Sequence, residues 1–349
     1  MAELDQKERN YSETIRLANE VLAIDPTNKD AKLWHAAGLL GDKTYQQAGT
    51  ELSALQKQEP DSIDVNLHVA ALDIDEKKYS EAEALYLRFY KPGQKDLRPL
   101  EGLIQLYLSQ RQADKALKLL DTEIKMAPQS PAVHVLLAAA AVRAGNIDLA
   151  IQQYEWVQSN NPKLVQAYVA LGDLYRSKGD VNQAISYYRK AKELAPNDAR
   201  IIADMAYVET TTGQHADAIA NLRKQLNITP DDTVAMNNLA YELAESGTDL
   251  EQASALAEKA QRKAPGNPGI QDTLSLVYVR RGLNDSAIQI LDGLIKKYPD
   301  QPEFRYHLGL ALMQKGRIGD AKTQFNIALS HNPPKNVADK IKQIMSKMG

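Results

Sequence analysis

The chain has 349 residues, 44% hydrophobic and 25% charged, so it can bury a sizeable core and does not have the composition of a disordered protein. Its 42 Lys and Arg residues against 45 Asp and Glu residues give a net charge of -3, without the basic excess that favours nucleic acid. Cysteine is absent, which excludes disulfides and thiolate metal ligands. The longest apolar run, Val135 to Val142, is far shorter than the roughly 18 residues of a membrane helix.

The first predicted element is an amphipathic helix over residues 11–26, which ends at Pro26. It is typical of the second helix of a helical hairpin, and only ten mostly polar residues precede it. We therefore interpret residues 1–28 as a partial first repeat. On this hypothesis the chain is the C-terminal part of a longer protein.

Downstream, prolines recur with a period of 34 residues, except that the proline expected at Gln94 is absent and one residue is inserted near Gly247. The series is Pro26, Pro60, Pro128, Pro162, Pro196, Pro230, Pro265, Pro299 and Pro333. Between two prolines, as in residues 165–196, apolar and small residues recur at steps of three and four in two runs that flank Gly179. Each period therefore predicts two amphipathic helices joined by a tight turn.

This pattern resembles the tetratricopeptide repeat, a helix-turn-helix unit of 34 residues. The matching positions in one unit are Leu171, Gly172, Tyr175, Gly179, Ala184, Tyr188, Ala191 and Pro196. The resemblance implies an all-α, right-handed superhelical solenoid, with nine units over residues 29–333 and a capping helix over residues 334–349. We expect most of the 16 tyrosines to be packing residues.

Several positions depart from the pattern. Lys77 replaces a turn glycine, and irregular geometry is expected between about residues 30 and 100. Glu123 and Gln225 replace small residues near the ends of second helices, which predicts looser packing there. Trp156 lies at an outward position, where it could contact another chain.

No motif supports catalysis. The six histidines are scattered over different repeats without metal-ligand spacing, and GLLGDKT at 38–44 lacks the phosphate-loop pattern. The acidic residues generally have Lys or Arg within four positions, which is typical of solvated helix faces. We expect no enzyme activity, no metal and no cofactor.

The resemblance instead implies binding to a protein or peptide in a concave groove lined by one face of every first helix. At its groove positions, tyrosines are expected to lie outside the core and to anchor a partner, and asparagines to bond its backbone. The candidate partner-binding residues are Val169, Asp173, Arg176, Arg200, Tyr207, Asn237, Asn238, Tyr241, Tyr306 and Leu310. The alternative is that the groove packs on itself.

Residues 233–330 are similar to the ends of bacterial tetratricopeptide proteins of envelope, exopolysaccharide and exosortase-associated systems. This resemblance favours a non-catalytic scaffold in a multiprotein assembly at the cell envelope or in the periplasm, with the cytoplasm as the alternative. A second hypothesis is a regulatory or targeting module of an enzyme whose catalytic domain lies upstream. Neither hypothesis involves nucleic acid or direct membrane insertion, and a homo-oligomer is compatible with both.

Overall fold

The computed structural model describes residues 10–348, in which twenty α-helices and no strand are found. The chain divides into two compact units, one ending at Ala167 and one beginning at Tyr168. Positions 1–9 of the predicted partial repeat and position 349 of the predicted cap lie outside the described residues. The partition into nine repeats stays a prediction.

The helices of the first unit are α1 Tyr11–Ile24, α2 Lys29–Gly41, α3 Tyr45–Gln58, α4 Ile63–Asp75, α5 Tyr79–Phe89, α6 Arg98–Ser109, α7 Ala113–Met126, α8 Pro131–Arg143 and α9 Ile147–Asn160. The division between the units falls within α10 Val165–Ser177. The second unit continues with α11 Val181–Leu194, α12 Ala199–Thr211, α13 His215–Ile228, α14 Thr233–Ser246, α15 Leu250–Lys263, α16 Pro268–Arg280, α17 Asn284–Lys297, α18 Pro302–Gln314, α19 Ile318–Ser330 and α20 Lys335–Ser346. Even-numbered helices up to α18 are first helices of the pairs, and the odd-numbered helices are second helices.

The periodic prolines mark the helix boundaries. Each stands just beyond the end of a second helix, where its ring cannot continue the helical hydrogen bonding. Two residues after the proline comes the cap of the next first helix. Asn28, Asp198 and Asp232 each accept hydrogen bonds there from the first free backbone N–H groups. One short sequence therefore ends one helix and begins the next.

The turn inside each pair requires a left-handed backbone conformation. Gly145 and Gly179 adopt φ values of 77° and 78°, which cost glycine little. Lys77 occupies the same turn position with φ 63°, a conformation that is strained for a residue with a side chain. The loss of the turn glycine has therefore changed the energy of this turn but not its geometry.

Close approach of neighbouring helices depends on glycines that face aromatic rings. A Cβ atom added to Gly172 would lie 2.5 Å from Cε1 of Tyr188, and one added to Gly309 would lie 2.4 Å from Cε1 of Phe325. Both rings are completely buried. A side chain at either glycine would therefore push the two helices apart.

The expected looser packing at Glu123 is wrong. This side chain is fully buried, and its carboxylate accepts hydrogen bonds from the Tyr90 hydroxyl at 2.7 Å and from the Gly93 N–H at 2.9 Å. Burial and the neighbouring carboxylate raise the pKa of Tyr90. Glu123 thus fixes the irregular loop that follows α5, because a buried carboxylate with two donors is satisfied.

Trp156 has a packing partner within its own helix pair. Its ring stacks on that of His134 at a centroid distance of 3.5 Å and an interplanar angle of 12°. The nitrogens of the His134 ring lie 2.7 Å from the Gln153 side chain and 3.0 Å from the Pro128 carbonyl oxygen. These contacts give Trp156 a structural role within its own helix pair, so its position is explained without a contact to a second chain.

We predict opposite effects for two glycine-to-alanine substitutions. Gly309→Ala forces its methyl group into the Phe325 ring and should lower the free energy of unfolding by about 1–3 kcal/mol. Gly293 lies in α17 with open space around it, so Gly293→Ala should raise this free energy by about 0.5–1 kcal/mol through helix propensity. Urea denaturation of both variants measures the difference, and equal effects would contradict the packing assignment.

The strained turn gives a second prediction. Lys77→Gly removes the left-handed strain of an exposed side chain and should stabilise the protein by about 0.5–1 kcal/mol. Gly179→Ala is the converse substitution at a turn with open space, and it should destabilise by about 1 kcal/mol. Thermal unfolding followed by circular dichroism tests both changes. A destabilising Lys77→Gly would show that the lysine side chain has an unrecognised contact.

Candidate functional site

Four predicted partner-binding residues come together in the second unit. The Arg176 and Arg200 guanidinium groups each lie 3.2 Å from the Asp173 carboxylate. The Arg176 guanidinium also lies over the Tyr207 ring, 5.4 Å from its centroid. Tyr207 is 53% exposed, so the cluster presents an aromatic face to solvent.

The charges of this cluster are largely satisfied internally. Asp173 accepts a hydrogen bond of 2.6 Å from the Tyr188 hydroxyl, in addition to its two arginine contacts. Burial raises the pKa of Asp204, and the nearby Asp173 charge adds to this effect. The Arg200 guanidinium lies 3.6 Å from the Asp204 carboxylate, and its positive charge partly offsets this rise in pKa. The exposed surface of this cluster therefore consists of the Tyr207 ring and the Arg200 side chain.

Asn237, Asn238 and Tyr241 lie on the next first helix, α14. The Asn237 amide donates to Oδ1 of Asn238 at 3.4 Å, while the Oδ1 of Asn237 has no hydrogen-bond partner within the described part of the chain. Both asparagines are half-buried. Burial raises the pKa of Tyr241, and the carboxylate of Glu245 adds to the shift. The Oδ1 of Asn237 is itself buried and most of the Tyr241 ring is covered, so neither group is open to a partner in this structure.

Three other predicted residues are buried. Val169, Tyr306 and Leu310 expose only 8%, 4% and 6% of their surfaces. The expectation that tyrosines at groove positions lie outside the core is wrong for Tyr306, which belongs to the core around Phe325. The physical reason is that α18 is apolar on nearly all sides and is packed by α20. Burial, together with the Glu245 charge, raises the pKa of Tyr306 to about 12.

Helix α20 is tied to α14 by an ion pair whose carboxylate is buried and whose lysine is partly exposed. Lys340 on α20 binds Glu245, whose side chain is 4% exposed, and Arg280 lies 3.3 Å from the same carboxylate. Burial acts to raise the pKa of Glu245, but the hydrogen bond from Lys340 and the charges of Lys340, Arg280 and His307 lower it overall. This arrangement fixes the end of the second unit where Tyr241 and Tyr306 lie.

The structure also shows open clefts on first helices of the first unit, which the sequence prediction missed. One cleft of about 380 Å³ lies between α6 and α8, and one of about 270 Å³ lies between α4 and α6. Residues of the larger cleft are Glu101, Ile104, Gln105, Leu108, Leu136, Ala139, Ala140 and Arg143. The repeat period could have located this cleft, because Ala139 and Gln105 lie one and two periods of 34 residues before Asp173, which was predicted to line the groove.

The family model of the tetratricopeptide repeat matches residues 101–155, 135–199 and 273–336. Residues 101–199 and 273–336 therefore contain tetratricopeptide repeats. The predicted all-α fold, built from tetratricopeptide helix pairs, is therefore confirmed. No curated protein matches the chain.

Solved structures with a similar arrangement include other tetratricopeptide proteins. YrrB, described as a tetratricopeptide protein with an unusual peptide-binding site, is 19% identical with a TM-score of 0.48 and covers 56% of this chain and 97% of its own. MamA from Desulfovibrio magneticus RS-1 is 17% identical with a TM-score of 0.41, covering 48% and 94%. The Cut9–Hcn1 tetramer of the APC/C is 12% identical with a TM-score of 0.47, covering 97% and 94%.

None of these comparisons indicates an enzyme family. Residues 10–348 contain no group of three or more His, Asp or Glu side chains placed to hold a metal ion. Over the same residues, no helix is both long enough and apolar enough to cross a membrane.

The ion pair between Lys340 and Glu245 gives a testable prediction. Lys340→Ala leaves Glu245 buried with Arg280 as its remaining close cation and should destabilise the protein by about 1–3 kcal/mol near neutral pH. Lys342→Ala, an exposed change on the same helix, should have almost no effect.

The difference between the two lysine variants should depend on pH. Because the pKa of Glu245 is lower in the folded state, its ion pair contributes stability above the ordinary pKa of 4.5 and loses it as the pH falls through the folded-state value. Chemical denaturation from neutral pH to acid should therefore show the two variants converging. A constant difference would rule out the proposed charge interaction.

Proposed function

We propose that this chain is a non-catalytic scaffold that binds extended segments of partner proteins on the faces of its first helices. The observation that carries the proposal is the pair of open clefts on α4, α6 and α8, with apolar residues in their walls. Clefts with apolar walls and a few polar groups are the usual form of binding sites. The presence of tetratricopeptide repeats supports a protein or peptide as the partner.

The second unit contributes a smaller surface. Tyr207 offers an exposed ring held by a guanidinium group, and aromatic residues in such positions often anchor a partner at low entropic cost. Tyr306 and Leu310 contribute to the stability of this unit, since both are buried.

The proposed setting is an assembly at the bacterial cell envelope. Its support is the resemblance of residues 233–330 to the ends of tetratricopeptide proteins from exosortase-associated envelope systems. A role as the regulatory module of a larger enzyme has no feature of the described residues in its favour.

The test uses a displayed library of random peptides selected against the immobilised protein. Ala139→Gln places a longer polar side chain in the larger cleft, and Tyr207→Ala removes the exposed ring. Selected peptides should bind at least one of these variants about tenfold more weakly, because binding energy is concentrated at a few central contacts. Fluorescence anisotropy measures the affinities.

Matched controls lie on second helices. Ala84→Gln on α5 makes the same chemical change at another exposed alanine, and Leu194→Ala on α11 truncates a side chain that is 42% exposed. Both should leave peptide affinity unchanged. Selection of no peptide, or equal losses in variants and controls, would refute binding on the first-helix faces.

A further inference from the structure

The cleft between α6 and α8 has an apolar floor. This floor is formed on one side by Ile104 and Leu108 of α6 and on the other side by Leu136, Ala139 and Ala140 of α8. The alanines leave room between the two helices, which contact each other directly. The space suits one branched apolar side chain, since a cleft of about 380 Å³ exceeds the volume of such a group.

Two opposite charges stand at the ends of this floor. Glu101 lies in the first turn of α6 and Arg143 is the last residue of α8. Both side chains are exposed, and neither forms an ion pair with any residue between 10 and 348. Arg98, one turn before Glu101, is engaged by Asp64 and Asp96.

The spacing of these charges matches an extended chain. In α8 the position equivalent to Glu101 is Val135, eight residues before Arg143, so the two charges are offset by about 12 Å along the helix axes and by about 8–10 Å between them, a separation of about 15 Å that the long arginine side chain can shorten. Four residues of extended chain cover about 13 Å, and residues i, i+2 and i+4 point to the same side.

We propose that this cleft selects an extended segment in which an apolar residue is flanked, two positions away on each side, by a basic and an acidic residue. The apolar side chain fills the floor between Leu108 and Leu136. The basic residue faces Glu101 and the acidic residue faces Arg143. This inference rests on the proposed function and specifies the chemistry of its partner.

The probes are short peptides with blocked ends, titrated into the isotope-labelled protein while its amide chemical shifts are followed. Lys-Thr-Leu-Thr-Asp should bind best, with the largest shifts along α6 and α8. Lys-Thr-Leu-Thr-Lys and Asp-Thr-Leu-Thr-Asp each mismatch one charge and should bind about threefold more weakly, the effect of one exposed ion pair. Lys-Thr-Ser-Thr-Asp lacks the apolar group and should bind about tenfold more weakly.

Charge-reversal variants provide the decisive comparison. Arg143→Glu makes both ends acidic and should transfer the preference to Lys-Thr-Leu-Thr-Lys, while Glu101→Arg should transfer it to Asp-Thr-Leu-Thr-Asp. Lys118→Glu changes the same charge at an exposed position of α7, outside the cleft, and should leave the original order unchanged. All three substitutions are at exposed positions, so we expect the variants to remain folded.

The outcomes separate this inference from the proposed function. If library peptides bind the first-helix faces but the charge-reversal variants do not change the preference, the charge assignment is wrong and the scaffold function stands. If the shifts map to second helices, the cleft assignment is also wrong. If the library yields no binder at all, the proposed function fails with it.

Discussion

Stability of this protein depends on contact between successive helices, because a single helix pair cannot bury its own apolar face. In two pairs this close contact depends on a glycine of the first helix that meets a buried aromatic ring of the second helix, as Gly172 meets Tyr188 and Gly309 meets Phe325. Without these glycines the rings would be displaced by more than the packing tolerates. In the pairs between them Ala206, Ala240 and Ser275 occupy the equivalent position, so the 34-residue period returns a small residue to the same place in each pair.

The local features of the fold were predictable because their causes are local. Proline, cap and turn glycine are close in sequence and fix helix boundaries wherever they occur. Glu123 could not be understood in this way, because its partners Tyr90 and Gly93 lie about thirty residues earlier. The same limit applies to Trp156, whose outward position in the repeat pattern said nothing about the His134 ring.

The candidate site was predictable in part. Asp173, Arg176 and Tyr207, which the repeat period assigned to one face of the first helices, lie beside one another in the structure. The period did not distinguish exposed from buried positions. Tyr207 and Tyr306 were both assigned to the groove face, yet Tyr207 is 53% exposed and Tyr306 is 4% exposed. What differs is the neighbouring structure, an apolar α18 packed by α20, and that is a tertiary property. The open clefts of the first unit follow the same period, but their openness depends on the small side chains opposite.

The Lys340–Glu245 contact has a consequence for the order of folding. Most contacts in a chain of stacked repeats are local, so such a chain can acquire structure as it leaves the ribosome. This ion pair joins residues separated by 95 positions. During synthesis Glu245 and Arg280 can meet early, but Lys340 arrives only after α20 has been made. The region around Glu245 therefore reaches its final stability later than the helix pairs that depend on local contacts alone.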